Sequence, residues 1–430
     1  MHPSVTQTDP AVARSAAAGS WTPAQRSAVT ASFLAWVFDA FDFFLMVFVV
    51  HAVAAEFGTP ITSVTLAIVL TLAMRPIGAF VFGRAADRYG RRPTLVVVIV
   101  LYSLLEFASA FSPNLVFLIC IRALFGIAMG GVWGVGASLT METIPPSARG
   151  TVSGLLQAGY PTGYLTAALV YALLFPVVGW RGLFVIGAVP ALLSIYVMRS
   201  VQESTAWTAA RGTKHASAAA VLKVHWRLAI YAILLMTAFN FFSHSTQDLY
   251  PTFLEVEHGF SPGTVGTIAV IYNIGAILGG LTFGSLSERI GRRRAIVAAA
   301  LLSLPIVPLW AFSGSPVLLA VAAFLMQFMV QGAWGVIPAH LNELSPAEAR
   351  GTFPGVVYQL GNLFAAVNTT LQAGIAAHFH NEFSLGLASV AACAAIIVAL
   401  LTGFGVEAKG VRLAAGRSEA QYQPAENAIR

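Results

Sequence analysis

The chain has 430 residues, of which 57% are hydrophobic and only 10% are charged. A soluble globular protein has about 25% charged residues, so this chain has too few to cover a water-facing surface, and its main solvent must be lipid. Its net charge of +6 does not indicate nucleic-acid binding, because the basic residues stand in short loops between apolar runs. The two cysteines, Cys120 and Cys393, lie in apolar runs and provide neither a disulfide framework nor a metal site.

Twelve apolar runs follow one another along the chain, each long enough to cross a bilayer core, which takes about 20 residues. Only helices are expected here, because a backbone in lipid has to satisfy its own hydrogen bonds. We predict an all-α membrane protein with twelve transmembrane helices at 29–53, 62–83, 93–111, 115–140, 150–173, 178–199, 228–252, 264–286, 295–312, 316–341, 351–375 and 385–405.

The longest connection, 200–227, is polar and basic, and we predict that it links two six-helix bundles, 29–199 and 228–405. Two tails, 1–28 and 406–430, flank the bundles. The tails and every second loop, including this connection, hold nearly all the arginine and lysine. Because basic residues favour the cytoplasmic side, we expect a protein of the cell's inner (plasma) membrane with both termini in the cytoplasm.

An internal repeat indicates that the two bundles are related. Three elements recur at one offset of 201 residues. They are Gly83-x-x-x-Asp87-Arg88-x-Gly90-Arg91-Arg92, Gly131-Val-Trp-Gly134-Val, and Glu142 with Arg149-Gly150-Thr151, and their partners begin at Gly284, Gly332 and Glu343. Two pseudo-symmetric bundles with a substrate site between them, near the middle of the membrane, are a transporter architecture.

The first repeated element, between predicted helices 2 and 3, is similar to the signature loop of the major facilitator superfamily, which the chain resembles over nearly its whole length. Ala85 stands where that signature usually has leucine. The run from Arg122 to Gly131 resembles the superfamily's helix-4 motif. Asp87 is suited to a gate latch, because a carboxylate binds the free amides at the start of a neighbouring helix. A simpler interpretation is that the arginines only fix the topology. We assign gating roles to Asp87, Arg91, Arg122, Glu288 and Arg350.

Predicted helix 7 carries the strongest cluster of polar residues. At about 100° per residue, its polar side chains fall within an arc of about 100°. This stripe presents two amides, an imidazole and a carboxylate, from Asn240, Gln247, His244 and Asp248. It suits an anion held beside a titratable group, because histidine changes charge near neutral pH and a buried carboxylate can also take up a proton. The alternative is a polar contact between helices, in which these side chains only form hydrogen bonds with one another.

The segment 240–252 also matches the pattern Asn-x-x-[Ser/Thr]-His-x-[Ser/Thr]-Gln-Asp-x-x-x-Thr at every fixed position. This is the signature of the Jen-type monocarboxylate permeases of the sialate:proton symporter family, which the chain therefore resembles. The resemblance implies proton-coupled uptake of lactate, pyruvate or similar acids. It also implies functional residues in helices 2, 7 and 11, which are here Arg75, Asn240, His244, Asp248, Gln359 and Asn362. Bacterial sialic acid carriers share much of the pattern, so the substrate stays open.

Three charges inside the predicted helices have two interpretations each. A charge in mid-helix costs about 2.5–3.5 kcal/mol on insertion scales, so it normally faces the protein interior or a water-filled cavity. Arg75 either holds a carboxylate bidentately, or reaches towards the cytoplasm or pairs with a helix-1 aspartate. Asp39 and Asp42, three residues apart in helix 1, either relay protons or form buried ion pairs with Arg122 or Arg75. For Glu106 we expect a structural role.

These observations predict a proton-coupled importer of small monocarboxylates. We assign substrate binding to Arg75, Asn240, His244, Gln359 and Asn362, and proton coupling to Asp39, Asp42, His244 and Asp248. The alternatives are a proton-coupled carrier of sialic or aromatic acids, and an exporter or anion exchanger of the same fold. No nucleotide loop, nucleophile triad or zinc spacing is present, so we predict neither an enzyme nor a cofactor. We expect a monomer whose partners are the organic anion, the proton and the lipid bilayer, and no nucleic acid.

Overall fold

The computed structural model describes residues 21–210, 217–380, 382–411 and 413. Over these residues the protein is all-α, with helices joined by short turns and no strand. Twelve helices cross the membrane in two bundles of six, which confirms the predicted fold. Most of the two predicted tails lies outside the described residues.

Helices 1 to 6 form the N-terminal bundle and helices 7 to 12 the C-terminal bundle. The first six are Pro23–Phe57, Ile61–Tyr89, Arg91–Ala110, Leu115–Gly130 with Val132–Thr143, Arg149–Gln157 with the first part of Gly159–Ile186, and the last part of Gly159–Ile186 with Ala191–Ser200. The second six are Ala218–Gln247 with Tyr250–Val256, Pro262–Ile290, Arg292–Ser303 with Val307–Phe312, Pro316–Trp334 with Ile337–Leu344, Phe353–Ala365 with Asn368–His378, and Phe383–Gly403. Three short helical segments stand between the helices, Pro146–Ala148, Thr205–Ala210 and Ala347–Ala349, and a fourth, Leu304–Ile306, joins the two parts of helix 9.

Helices 5 and 6 follow each other in one helical stretch of 55 residues, Pro146–Ser200. At a rise of about 1.5 Å per residue, this is far longer than the bilayer core needs. Gly179 interrupts the stretch with a φ of 63°, a backbone conformation that favours glycine. The next two residues, Trp180 and Arg181, donate hydrogen bonds to Glu56 at the end of helix 1. The chain therefore reverses at Gly179.

The connection between the bundles is shorter than the predicted 200–227. It contains the short helix Thr205–Ala210, and helix 7 begins at Ala218, where the hydroxyl of Ser217 accepts a hydrogen bond from a backbone N–H of the first turn. The helix is kinked at His225, where φ is −110° and ψ is 25°, so the part that follows the kink begins close to the predicted 228. Helix 1 begins at Pro23, inside the predicted tail 1–28.

Helix 7 breaks directly after its polar stripe. In a continuous helix, the ring of Pro251 would clash with the carbonyl of Gln247, and it has no N–H to donate. The helix accordingly ends at Gln247, and a second short helix begins at Tyr250. The break places Asp248 at a helix terminus, one turn beyond His244.

Helices 2 and 4 approach each other so closely that only glycine fits. A Cβ atom at Gly126 would lie 2.1 Å from the carbonyl oxygen of Thr71, and one at Gly130 would lie 2.1 Å from that of Arg75. Small residues at helix crossings let backbones touch within the membrane. This contact holds the backbone of Arg75 against helix 4 and fixes the point from which its side chain extends.

Candidate substrate cavity and gate

A cavity of about 460 Å³ lies between the two bundles. Its N-terminal wall is largely aromatic and includes Trp36, Phe43, Phe44, Phe48, Tyr160 and Tyr164. Its C-terminal wall is largely polar and includes Asn240, Ser243, His244, Gln247, Asp248, Asn273, Gln327, Gln331, Asn362 and Thr369. Arg75 is the only arginine or lysine in the described lining of this cavity.

The helix-7 stripe forms a hydrogen-bonded chain in the polar wall. Nδ1 of His244 lies 3.1 Å from both carboxylate oxygens of Asp248, and Nε2 lies 3.0 Å from Oδ1 of Asn362 in helix 11. The hydroxyl of Thr369 donates to Asp248 over 3.2 Å. Both ring nitrogens face oxygen acceptors, and a histidine donates to two acceptors only when both nitrogens carry a proton. The stripe thus reaches across to helix 11 and is not confined to helix 7.

Arg75 faces the cavity and is paired at the same time. Its Nη2 lies 3.2 Å from Oδ2 of Asp39 and 3.5 Å from the sulfur of Met129. Its guanidinium also lies 5.4 Å from the ring centre of Phe43. Both members of the ion pair are buried, and Oδ1 of Asp39 and Nε of Arg75 have no hydrogen-bond partner in the described residues. Of the interpretations given for Arg75, the structure therefore shows the ion pair with a helix-1 aspartate. The side chain does not extend to a membrane surface, because it is buried.

The last turn of helix 2 and the first turn of helix 3 join the two bundles. Asp87 accepts hydrogen bonds from the backbone N–H of Gly351 at 2.7 Å and from the hydroxyl of Thr352 at 2.6 Å, both at the start of helix 11. Arg91 lies 3.2 Å from Asp87 and 2.9 Å from Glu142. A buried carboxylate thus holds the free amide end of a helix in the other bundle, which is the geometry of a latch.

The second copy of the loop repeats this latch from the other bundle. Glu288 accepts a hydrogen bond from the backbone N–H of Gly150 and lies 3.1 Å from Arg292, which also binds Glu343 at 3.0 Å. Each residue stands 201 positions from its counterpart, as the repeat predicts. Arg350 adds a further link, because its carbonyl accepts a hydrogen bond from Ser138 at 2.6 Å.

Both latches lie on the side of the membrane where the described chain ends are found, here called the terminal side. Trp21 and Leu413 pack there in one apolar cluster that spans both bundles. In the described residues, the hydrogen bonds and ion pairs between the bundles all belong to this side. Deeper in, Tyr358 packs against Trp133 and Trp36, with ring centres 4.7 Å and 6.4 Å apart. The cavity is therefore closed towards the terminal side.

Comparison with known proteins gives the family of this chain. The model of the Major Facilitator Superfamily matches residues 31–261 and 233–425. The chain belongs to the major facilitator superfamily. It is therefore a multi-pass membrane transporter and not an enzyme, as predicted.

Two curated relatives of this facilitator cover most of its length. The carboxylic acid transporter protein homolog of Saccharomyces cerevisiae is 30% identical over 398 residues, which are 86% of this chain and 64% of the yeast protein. The sialic acid transporter NanX of Escherichia coli is 28% identical over 400 residues, which are 92% and 98% of the two chains. They confirm the predicted resemblance to Jen-type and sialate carriers. The solved proton:xylose symporter XylE, at 19% identity, has a TM-score of 0.73 over 91% of this chain and 98% of its own, and shows the fold alone.

Arg122 lies away from the two latches of this facilitator, so its gating role stays a prediction. Its guanidinium is fully buried inside the N-terminal bundle, forms an ion pair with Glu106 of helix 3, and lies 4.1 Å from the ring centre of Phe125. The partner of Arg122 is thus Glu106 rather than a helix-1 aspartate. Because all these contacts are within one bundle, Arg122 stabilises that bundle and does not join it to the other.

Asp42 is fully buried, but it does not line the cavity. A Cβ atom at Gly187 would lie 3.1 Å from Oδ1 of Asp42 and 3.2 Å from Oε1 of Glu106, so the two carboxylates face the same point. Neither oxygen of Asp42 has a hydrogen-bond partner in the described residues. Asp42 is therefore a second carboxylate beside the Arg122–Glu106 pair, and it forms no ion pair of its own in the described residues. The structure brings Asp42 to this group, whereas it brings Asp39 to Arg75.

Gln359 does not line the cavity in this conformation, and its assignment to the substrate site stays a prediction. The residue is buried, and the lining from helix 11 consists of Tyr358, Asn362 and Thr369. Tyr358 and Thr369 flank this position along helix 11, and Gln359 is 1% exposed. The family's Gln-x-x-Asn spacing therefore brings only its asparagine to the cavity in this conformation.

Two glutamines of helix 10 belong to the polar wall and were not predicted. The side-chain amide of Gln247 donates to Oε1 of Gln327 at 3.0 Å, and Gln327 donates to the hydroxyl of Thr246 at 2.9 Å. Gln331, one turn further, lies 3.4 Å from the hydroxyl of Ser243. In the sequence, these glutamines are two uncharged amides four residues apart in an apolar run. They were missed because the candidates inside the helices were chosen by their charge.

Proposed function

We propose that this facilitator imports a small monocarboxylate together with a proton by alternating access. The observation that carries the proposal is that Arg75 and His244 line facing walls of one cavity, each beside a carboxylate, which is Asp39 for Arg75 and Asp248 for His244. The relatives support it, because one is named for carboxylic acids and another for sialic acid.

Arg75 is the proposed anchor of the substrate carboxylate. An anion that enters a low-dielectric cavity loses hydration and needs a positive or donating partner. A guanidinium supplies two parallel hydrogen bonds to a carboxylate. Asp39 occupies one side of this guanidinium, so the substrate shares the cation with Asp39 or replaces it. Asn240, His244 and Asn362 on the facing wall are the proposed second set of contacts.

We propose that the proton binds to Asp39, beside Arg75, or to His244, beside Asp248. A protonated Asp39 no longer neutralises Arg75 and leaves its full charge to the substrate. On the facing wall, His244 donates from both nitrogens when it is protonated, with Asp248 as its counter-ion. One anion bound with one proton leaves the charge of the cavity unchanged, which limits the cost of moving it through the membrane.

The terminal side is proposed to face the cytoplasm, because it carries the basic loops. Asp87, Arg91, Glu288 and Arg350 are then the residues of the inner gate. The gate is closed in this structure, so the cavity is proposed to receive substrate from outside.

Uptake into proteoliposomes tests the proposal. Labelled lactate is added under an imposed pH gradient, alkaline inside, with unlabelled pyruvate, acetate, benzoate or sialic acid as competitors. We expect accumulation that pyruvate competes away and that a protonophore abolishes. Protein-free liposomes control for leak of the neutral acid. Exchange that does not depend on the gradient would identify an anion exchanger.

A larger organic acid is the second candidate, and the cavity itself favours it. A volume of about 460 Å³ lies in the range that takes a drug-sized ligand and far exceeds a three-carbon acid. The aromatic wall, in which the ring centres of Phe44 and Tyr164 are 4.7 Å apart, suits a ring-bearing substrate. In the same competition assay, stronger inhibition by benzoate or sialic acid than by pyruvate would identify this class.

A further inference from the structure

A second cavity, of about 690 Å³, lies outside the transport path on the terminal side of the C-terminal bundle. It is formed where helix 8 ends, helix 9 begins and helix 12 ends. Its rim carries four basic residues and one acidic residue, which are Arg289, Arg293, Arg294, Lys409 and Glu407. The substrate cavity and the two latches share none of these residues.

The single carboxylate of this rim is already engaged. Glu407 accepts hydrogen bonds from the backbone N–H groups of Arg292 at 3.1 Å and Arg293 at 3.0 Å, so it caps the start of helix 9. The guanidinium of Arg293 donates in turn to the last carbonyls of helix 12, those of Thr402 and Gly403. Glu407 and Arg293 therefore serve helix ends and offset each other's charge.

Three positive charges remain on the rim. Arg289, Arg294 and Lys409 are exposed, and none of them has an ion pair in the described part of the chain. The ammonium of Lys409 donates only to the carbonyl of Arg289, at 3.3 Å. These charges converge on one pocket, so a ligand that carries negative charge gains from all three.

The wall of the pocket is apolar and continues along the membrane. Val297 and Gly403 bring helices 9 and 12 together, since a Cβ atom at Gly403 would lie 3.8 Å from the Val297 side chain. On the same two helices Leu301 and Leu400 are exposed deeper in the membrane, and Phe404, which follows the end of helix 12, is 84% exposed. A charged rim above an exposed apolar groove fits an amphiphile and not a purely soluble anion.

We propose that this pocket binds the headgroup phosphate of an anionic phospholipid, whose acyl chains lie along helices 9 and 12. Basic pockets between transmembrane helices recognise such headgroups. The repeat places Pro93 where the C-terminal bundle has Arg294, so this group of charges is not repeated in the N-terminal bundle's sequence. The repeat equivalent of Arg289, Arg88, keeps its charge, so it offers a matched control on the same side of the membrane.

Native mass spectrometry of the purified full chain tests the proposal. The protein is titrated with dioleoylphosphatidylglycerol or dioleoylphosphatidylcholine in detergent, and the retained lipids are counted. A basic residue near an anionic lipid contributes about fivefold in affinity. We therefore expect Arg289→Gln and Arg294→Gln each to weaken retention of phosphatidylglycerol about fivefold, whereas Arg88→Gln retains it as the wild type does.

Three results would overturn the proposal. The first is equal retention of the two lipids by the wild type. The second is an equal loss in Arg88→Gln, which would mean that only overall charge matters. The third concerns a soluble phosphate. Soluble glycerol 3-phosphate is added as a competitor, and we expect it to leave the lipid in place. Displacement by millimolar glycerol 3-phosphate would identify a soluble phosphate site instead. Equal melting temperatures in phosphatidylcholine alone establish that the variants are folded.

Discussion

At the scale of single residues, the cavity depends on which acid each base faces. Arg75 lies beside Asp39 and His244 beside Asp248, at 3.2 Å and 3.1 Å. The two pairs differ in burial, because Arg75 and Asp39 are at most 3% exposed whereas His244 and Asp248 are about a third exposed. Removing one partner of a buried pair leaves an uncompensated charge, so substitutions at the first pair are expected to be the more severe.

The anchor role of Arg75 predicts a graded loss of substrate affinity. Arg75→Lys keeps the charge but lacks the planar fork, so one charged hydrogen bond is lost and apparent affinity should fall about tenfold or more. Arg75→Ala should lose binding altogether. Direct binding of labelled lactate to purified variants measures this.

Arg122→Lys is the matched control, because that arginine is equally buried but lies outside the cavity. It is expected to impair turnover or folding more than affinity. Wild-type affinity in Arg75→Ala would mean that the anion is held elsewhere.

If His244 and Asp248 couple transport to protons, a variant of this pair should lose uphill accumulation of lactate but keep downhill exchange. Asp248→Asn removes the counter-ion of His244 and a proton acceptor but keeps the size and the contact with Thr369. We expect uphill accumulation under a pH gradient to disappear while some downhill lactate exchange continues. Expression is matched by immunoblot. Wild-type uphill uptake would remove Asp248 from the proton path and leave His244, Asp39 and Asp42 as the candidates.

At the scale of helices, the crossing of helices 2 and 4 positions the anchor. The backbone of Arg75 touches Gly130, and a Cβ there would meet main-chain atoms rather than a movable side chain. The backbone has to shift to admit one. Overpacking of this kind typically costs about 1–3 kcal/mol.

Gly130→Ala is therefore expected to lower thermal stability in detergent and to weaken substrate binding together, because it displaces helix 2. Gly266→Ala in helix 8 is the control, since nothing lies within 4 Å of its added Cβ. Alanine in an open helical position should be neutral or slightly stabilising. Equal melting temperatures for the two variants would contradict the close crossing.

At the scale of the whole molecule, the two bundles meet through two related latches. Asp87 holds the start of helix 11, and Glu288 holds the backbone N–H of Gly150 at the start of helix 5. A carboxylate bound to free amides keeps two helix ends together without a covalent link, and such a contact can break and re-form. The latches therefore stabilise the conformation that is closed on the terminal side.

Loss of one latch is expected to shift the resting conformation. Asp87→Asn weakens the charge-assisted bonds to Gly351 and Thr352, so we expect slower transport and a larger fraction open on the terminal side. A reporter cysteine at Ala339, which is buried in the apolar cluster between the bundles, should then be labelled faster from that side. The native Cys120 and Cys393 are exposed and are replaced by serine in this assay.

Arg88→Gln in the same loop controls for charge, because Arg88 has no part in the latch bonds. Unchanged labelling and an unchanged transport rate in Asp87→Asn would leave the loop only a topological role. If the reporter reacts with an impermeant reagent from outside in intact cells, the proposed orientation of the terminal side is wrong.

The sequence by itself determined the twelve helices, the relation between the bundles and the helix-7 stripe. These are local or periodic properties. An apolar run of sufficient length has to be a helix in lipid, residues four apart have to share a face, and a repeat at one offset has to give equivalent positions. The offset of 201 residues therefore places Asp87 and Glu288 at matching points without any knowledge of packing.

Only the tertiary structure decided which side chains meet. From the sequence, Arg75 and Arg122 were equal candidates for an ion pair with Asp39. The orientation of helices 2 and 4 about their axes decides that Arg75 pairs with Asp39 and that Arg122 pairs with Glu106. In helix 11, the orientation of the helix about its axis places Asn362 beside His244, while Gln359 does not line the cavity. Periodicity fixes the face on which a residue lies, but the direction in which that face points depends on contacts between helices that are distant in the chain.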